Sequence, residues 1–222
     1  EVVSLPQGSD LLVDGVGHAE TVMVVGGRGV TSVAAADLFP KLRLIQTLSA
    51  GTDTVPKVEM SERGVRVANN QGGNAVAVAE VTVALIVSTY RRLMVQWNDL
   101  NIRGVYGEGF SSDWGRFHEL TGKRVGIVGL GQIGSRVAKR LAGWECEIVY
   151  SDVVSHSAEY ESAAGAVRVD FDELIETSDV ISLHVPLDRS TEKILSDREF
   201  GRMKPGAIVI NACRGPVVDE AA

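Results

Sequence analysis

The sequence predicts an α/β fold built on parallel sheets and divided into two domains. Short apolar runs of strand length alternate with helical stretches along the chain, an order that yields parallel sheets with helices on their faces. One run, Lys123 to Tyr150 followed by Ser151-Asp152, reads as buried strand, glycine-rich turn, helix, second buried strand and terminal acid.

Composition narrows the field. The chain has 222 residues, 45 % hydrophobic and 23 % charged, with room for one large or two modest domains. Its net charge is −7 and no basic stripe appears, which disfavours nucleic acid or an anionic membrane as partner. No apolar run approaches the ~20 residues of a membrane span. Cys146 and Cys213 match no metal spacing and read as cytosolic thiols, so no metal and a cytoplasmic location are expected. The chain opens at Glu1 without methionine and stops at Ala222 as a helical pattern begins, so a fragment incomplete at both ends is expected.

Taken in order, Thr21 to Val25 is a buried-strand run ending in Gly26-Gly27, and Ser32 to Leu38 is helical before Pro40. Leu42 to Leu48 is a second strand, leading into Ser49-Ala50-Gly51-Thr52-Asp53. Val55 to Arg63 suits a short helix closed by Gly64, and Val65 to Ala68 a third strand leading to the 69–74 loop. The strand-end loops would share the carboxyl edge of a parallel sheet, where ligands of such sheets sit. Ala75 to Leu93 is the longest helical pattern and is expected to run on toward Leu100. Residues 103 to 119 hold Gly104, Gly107, Gly109 and Gly115 and read as a loop or hinge. The domains are therefore placed at 1–93 and 94–222. Beyond Asp152 the pattern is irregular to Val169. Asp170 then starts a short helix, Val180 to Leu183 is a strand, Ser196-x-x-Glu199 is a capping box for a helix through Met203, and Ala207 to Asn211 is a strand.

Gly129, Gly131 and Gly134 form G-x-G-x-x-G between a strand and a helix, and Asp152 follows near the ~20-residue spacing of an acid that bonds a ribose hydroxyl. The first glycine allows the tight turn, the second lets backbone approach a pyrophosphate, and the third lets helix pack on strand. The helix start supplies N–H donors and a positive dipole for phosphate. The chemistry indicated is dinucleotide binding on a Rossmann domain.

With these residues on the page, the chain resembles the D-isomer-specific 2-hydroxyacid dehydrogenases. The motifs are Ser49 to Asp53, Asn69 to Glu80, Glu119 to Gly134, Ser178 to Leu187 and Met203 to Gly215, in family order. The resemblance implies two Rossmann-like or flavodoxin-like parallel-sheet domains, the second an NAD-binding domain cut short at its C-terminus. It implies hydride transfer between nicotinamide and a small D-2-hydroxyacid or 2-oxoacid. Arg214 matches the catalytic arginine, whose planar fork suits a carboxylate and the C2 oxygen. Ser49, Ala50 and Gly51 match a loop whose backbone N–H groups take the substrate carboxylate, and Asn74 either contacts substrate or caps the long helix. Gln132 and Ile133 are implied at the pyrophosphate and Asp152 at the adenosine ribose. His184, Val185, Pro186 and Thr191 are implied on the adenosine and phosphate side, Ala212 and Cys213 beside nicotinamide. Because Asp152 would repel a 2′-phosphate, and Ser151 and Val153 bring no positive charge, NAD is expected over NADP. A homodimer is a further family implication.

The family's base, a histidine oriented by a glutamate well after the arginine, has no counterpart here. No histidine follows Arg214, and Glu220 comes too soon. His18, His118 and His156 match no site residue and read as solvent or loop histidines. Two other readings use the same motifs: an NAD-sensing corepressor-like interaction protein, and a relative acting on formate or phosphite.

Overall fold

The fold is that of a computed structural model, which describes residues 21–25, 37, 39–105 and 118–222. The chain divides into two compact units, Glu1–Asn74 and Ala75–Ala222. In the first, β1 (Thr21–Val25), β2 (Leu42–Thr47) and β3 (Arg66–Ala68) form a parallel sheet in the order β1-β2-β3. The short helix α1 (Lys57–Glu62) precedes β3. Its core joins Phe39, Leu42, Ile45, Val55, Met60 and Val65. The strands and the short helix match the sequence expectation to within a residue or two. The turn at Gly26-Gly27, all of the expected 32–38 helix except Asp37, and most of the 103–119 stretch lie outside the described residues.

The second unit begins with α2 (Ala75–Tyr90) and α3 (Leu93–Arg103). There follow β4 (Arg124–Val128), α4 (Gly134–Leu141), β5 (Glu147–Ser151), α5 (Ala158–Ala164), β6 (Val167–Arg168), α6 (Phe171–Thr177), β7 (Val180–Leu183), α7 (Asp197–Phe200) and β8 (Ile208–Asn211). All five strands are parallel, in the order β6-β5-β4-β7-β8. The chain fills one side of β4, then crosses to the other, so the topological switch point lies beside β4. In open parallel sheets that is where the ligand crevice forms, beyond the strand carboxyl ends.

Both sheet faces are covered, which is why the strands read as continuous apolar runs. Val125, Ile127, Ile148, Tyr150 and Val180 pack with Ala79, Ile86, Val137 and Leu141. On the other face Val128, Val149, Ile181 and Leu183 pack with Leu174 and Ile175 of α6. Each such buried aliphatic side chain is worth about 1.5–3 kcal/mol relative to exposure.

Three expectations need correction. The long helix does not run through to Leu100: Arg92 adopts a left-handed backbone (φ 48°), which ends α2 and starts α3 as a separate helix. The boundary falls at 74/75 rather than after 93, because Ala79, Ile86 and Tyr90 of α2 are built into the core of the second unit. The irregular stretch after Asp152 holds a helix and a strand. Ser157 starts α5 by accepting the Tyr160 N–H (3.3 Å), and Gly165 ends it at φ +68°. Smaller differences concern caps. Asp170 sits at the cap of α6 without a side-chain capping bond. Glu199 Oε2 accepts from both the N–H (3.1 Å) and Oγ (2.7 Å) of Ser196, but the helix spans only Asp197–Phe200.

Candidate functional site

The carboxyl edge of the five-stranded sheet gathers four segments: the glycine turn after β4, Asp152 after β5, His184 to Thr191 after β7, and Ala212 to Arg214 after β8.

The three glycines differ in what surrounds them. Gly129 has φ +92°, and a Cβ there would lie 2.7 Å from the His184 carbonyl oxygen. At Gly134 a Cβ would run into the Gly129 carbonyl oxygen and meet Ile127 at 3.0 Å. At Gly131 a Cβ would meet nothing within 4 Å. Two positions are thus glycine because the fold is closed around them, and the third opens outward. The backbone N–H groups of Gln132, Ile133 and Gly134 have no acceptor among the described residues. They sit at the start of α4, where open donors and the helix dipole attract an anion. This arrangement fits a pyrophosphate: donors, positive dipole and room for close approach are all present.

Asp152 sits one residue past β5 and is 12 % exposed in its side chain. Its Oδ2 accepts from the Leu130 N–H of the glycine turn (2.7 Å), and Oδ1 from the Val154 N–H (2.9 Å). The Leu130 carbonyl accepts from the Tyr160 hydroxyl of α5 (3.1 Å), so the Leu130 backbone is held on both sides of its Cα. His156 is a loop histidine, as expected, but is largely shielded from solvent. It stacks on Tyr160 (centroids 4.7 Å apart, 19°), is 17 % exposed in its side chain, and places Nε2 3.4 Å from Asp152 Oδ2. Arg168 donates to the Asp152 carbonyl (2.8 Å) and to Ser155 Oγ (2.9 Å). Positive charge therefore reaches this loop from Arg168 of β6, which inspection of Ser151 and Val153 alone does not show.

After β7, the His184 N–H donates to Val128 (2.8 Å), and its Nε2 pairs with Ser182 Oγ (2.8 Å). Its Nδ1 is buried without a partner among the described residues, and burial pushes the imidazole down to about 4, keeping it neutral. Val185 is half-buried and Pro186 exposed. Thr191 is buried, its hydroxyl donating to the Pro186 carbonyl (2.6 Å) and accepting from Asp188 N–H (2.9 Å). It shapes the loop rather than reaching outward.

After β8, Asn211 staples the next residues. Its Oδ1 accepts from Cys213 N–H (3.0 Å) and its Nδ2 donates to the Arg214 carbonyl (2.8 Å). Burial pushes the Cys213 thiol up, against smaller pulls from the Arg214 and Val185 backbones. Ala212 is half-buried. Arg214 has extended backbone (φ −142°), is half-buried, and donates from Nη1 to the Cys213 carbonyl (2.9 Å).

In the other unit, the carbonyls at 48–51 are all engaged. Asn70 Nδ2 reaches Leu48 (3.4 Å), Thr47 Oγ1 and Asn70 N–H reach Ser49, Asn69 Nδ2 reaches Ala50 (2.7 Å), and Ser49 Oγ reaches Gly51 (3.0 Å). That leaves the N–H groups of Ala50 and Gly51 without an acceptor among the described residues. Asn74 is exposed and directly precedes α2. Among the described residues no cluster of His, Cys, Asp and Glu could hold a metal, and no helix is long and apolar enough to cross a membrane.

Sequence reasoning missed Asn211, His156, Tyr160 and Arg168. An Asn at a strand end, bonding two residues on, is a turn signal that was available for Asn211. The others depend on α5 and β6, whose pattern is weak.

Residues 83–222 match the model of the D-isomer specific 2-hydroxyacid dehydrogenase NAD-binding domain. A glyoxylate reductase of Thermofilum pendens is 36 % identical over 186 residues, covering 84 % of this chain and 55 % of that protein. A hydroxypyruvate reductase of Thermotoga maritima is 32 % identical over 211 residues, 90 % of this chain and 63 % of that one. Among solved structures, an NAD-dependent formate dehydrogenase from Staphylococcus aureus in complex with NAD gives a TM-score of 0.78 at 28 % identity. It covers 90 % of this chain and 59 % of that chain. The chain spans about half the length of the curated relatives it matches.

Proposed function

The chain belongs to the D-isomer specific 2-hydroxyacid dehydrogenase family, and from that premise we propose that it is the cofactor-binding and arginine-bearing part of an NAD-dependent oxidoreductase. The proposed substrate is a small D-2-hydroxyacid or its 2-oxoacid, of the glyoxylate, hydroxypyruvate or phosphoglycerate kind. The observation that carries the reading is the glycine turn, closed at Gly129 and Gly134, open at Gly131, with three N–H groups at a helix start that have no acceptor among the described residues.

In this proposal the N–H groups of Gln132, Ile133 and Gly134 hold the pyrophosphate, and Asp152 accepts from the ribose hydroxyls with its remaining lone pairs. Bound nicotinamide supplies the hydride acceptor or donor. Arg214, fixed by the Asn211 staple at the end of β8, holds the substrate carboxylate and polarises the C2 oxygen. Within the first unit, the N–H groups of Ala50 and Gly51 are donors suited to a carboxylate. The proton on the C2 hydroxyl needs a base, and no residue after Arg214 in this chain is a histidine. The base is therefore not assigned among the residues described above. Exposed Leu93, Met94, Val95, Trp97, Leu100 and Ile102 on α3 support self-association as a homodimer.

NADH titrated into this chain should bind saturably, with a change in nicotinamide fluorescence. A longer protein carrying this chain should oxidise NADH with glyoxylate or hydroxypyruvate. There, Arg214→Ala should lower kcat about 100-fold or more while changing NADH affinity only a few-fold. Turnover that survives the substitution would remove Arg214 from the reaction.

A further inference from the structure

The guanidinium of Arg136 is turned onto the glycine turn rather than onto an acid. Its Nη1 donates to the Gln132 carbonyl (2.6 Å) and to Gln132 Oε1 (2.7 Å), and it has no carboxylate partner among the described residues. One turn further along α4 the pattern differs, because Arg140 Nη2 pairs with Glu80 of α2 (3.2 Å). The way α4 begins explains why the Gln132 carbonyl is available. The Arg136 N–H bonds the Ile133 carbonyl (2.9 Å), so the Gln132 carbonyl has no backbone donor among the described residues and takes the guanidinium instead.

These two bonds orient two donors. Every described peptide is trans, and in a trans peptide the carbonyl and N–H point in opposite directions. Holding the Gln132 carbonyl on the Arg136 side therefore turns the Ile133 N–H to the other side. That N–H is one of the three open donors of the turn. A guanidinium only donates, so it takes the oxygen of the Gln132 amide and leaves the Nε2 hydrogens as the free end. A cation on the carbonyl also polarises the 132–133 peptide, which makes its N–H a stronger donor.

We infer that Arg136 is a positioning residue for the dinucleotide's pyrophosphate, aiming the Gln132 side-chain amide and the Ile133 N–H at the anion from behind. The inference rests on the cofactor reading above and adds to it a residue that acts through the turn. Gln132 is exposed and Arg136 half-buried, so solvent screens the guanidinium charge and the effect lies mainly in geometry.

The test titrates NADH into the 222-residue chain, followed by nicotinamide fluorescence. The proteins are wild type, Arg136→Met, Arg136→Lys, Gln132→Ala and the double variant Gln132→Ala/Arg136→Met. Arg136→Met should weaken NADH about tenfold, the scale of a lost bond to a charged group. Arg136→Lys keeps the charge but not the planar fork, and should weaken it about threefold. In the Gln132→Ala background the Arg136→Met penalty should shrink to about threefold, since only the Ile133 peptide is left to orient. A general structural role would not produce that dependence on Gln132. Melting curves establish that each variant is folded, and if the methionine variants are not, Arg136→Lys with and without Gln132→Ala decides. An Arg136 penalty that is absent, or that is undiminished by Gln132→Ala, would overturn the inference and leave the cofactor reading standing. Failure of the wild type to bind NADH removes both.

Discussion

The two edges of the five-stranded sheet handle their polar groups in opposite ways. At the amino edge most polar groups are paired internally, although Arg124 Nε and Ser178 Oγ are buried without a partner among the described residues. The Arg124 N–H donates to Asp179 Oδ2 (2.8 Å), and its guanidinium reaches Thr177 (2.5 Å), Glu173 (3.3 Å) and Glu147 (3.1 Å). Lys204 approaches Asp179 at 3.3 Å. Burial works to raise the Asp179 carboxyl, but bonds from the Arg124 backbone and Lys204 outweigh it and hold it below the usual range. At the carboxyl edge the donors of Gln132, Ile133 and Gly134 are left open, and Gly131 faces empty space. One edge consumes its hydrogen-bonding capacity to hold strands together, while the other keeps it for something outside. Stability and binding should therefore separate by edge, except where the open edge is also packed.

Gly134 is that exception and carries the largest expected effect. In Gly134→Ala the new methyl meets the Gly129 carbonyl, which is backbone and cannot rotate away. Urea unfolding should show a loss of about 3 kcal/mol, the upper end of overpacking costs, and NADH binding should disappear. A variant that unfolds like wild type would mean that close packing does not fix the turn. Next comes Arg124→Met, which removes the guanidinium bonds to Thr177, Glu173 and Glu147 and keeps the backbone N–H that Asp179 accepts. It should lose about 1 kcal/mol, because Glu147 and Glu173 are open to solvent and such ion pairs are worth little each. NADH affinity should stay within about twofold of wild type. A larger fall would show that the two edges are coupled and break the contrast.

How much of this was legible in the sequence follows the same division. The glycine turn was readable because its constraints are local: φ at Gly129, closeness at Gly134 and a helix start are all encoded within six positions. The strands were readable because burial on both faces forces apolar runs. The surroundings of Asp152 were not. Leu130, His156, Tyr160 and Arg168 meet there only because α5 folds back beneath the turn. That helix is seven residues long and half of its sequence is polar, so it has little periodicity to detect. The break at Arg92 was hidden for a different reason. A left-handed arginine carries no compositional signal, and apolar residues continue on both sides of it. Ser157 ahead of α5 and Gly165 after it were available signals, and weighing them would have found the helix.

The sharpest test of the contrast is also its smallest in stability. Gly131 lies in the open part of the turn, its φ is outside the left-handed region, and a Cβ there touches nothing. Alanine at that position removes freedom from the unfolded chain without straining the folded one, so Gly131→Ala should be unchanged or more stable by up to about 0.5 kcal/mol. Yet the methyl would stand where the backbone must approach a pyrophosphate. NADH affinity should therefore fall about tenfold, roughly what a lost close contact to a charged group is worth. A glycine whose replacement strengthens the fold and weakens the ligand is held by function alone. If Gly131→Ala binds NADH as well as wild type, the open space beside it is not where the phosphates lie, and the placement of the dinucleotide on this turn has to be redrawn.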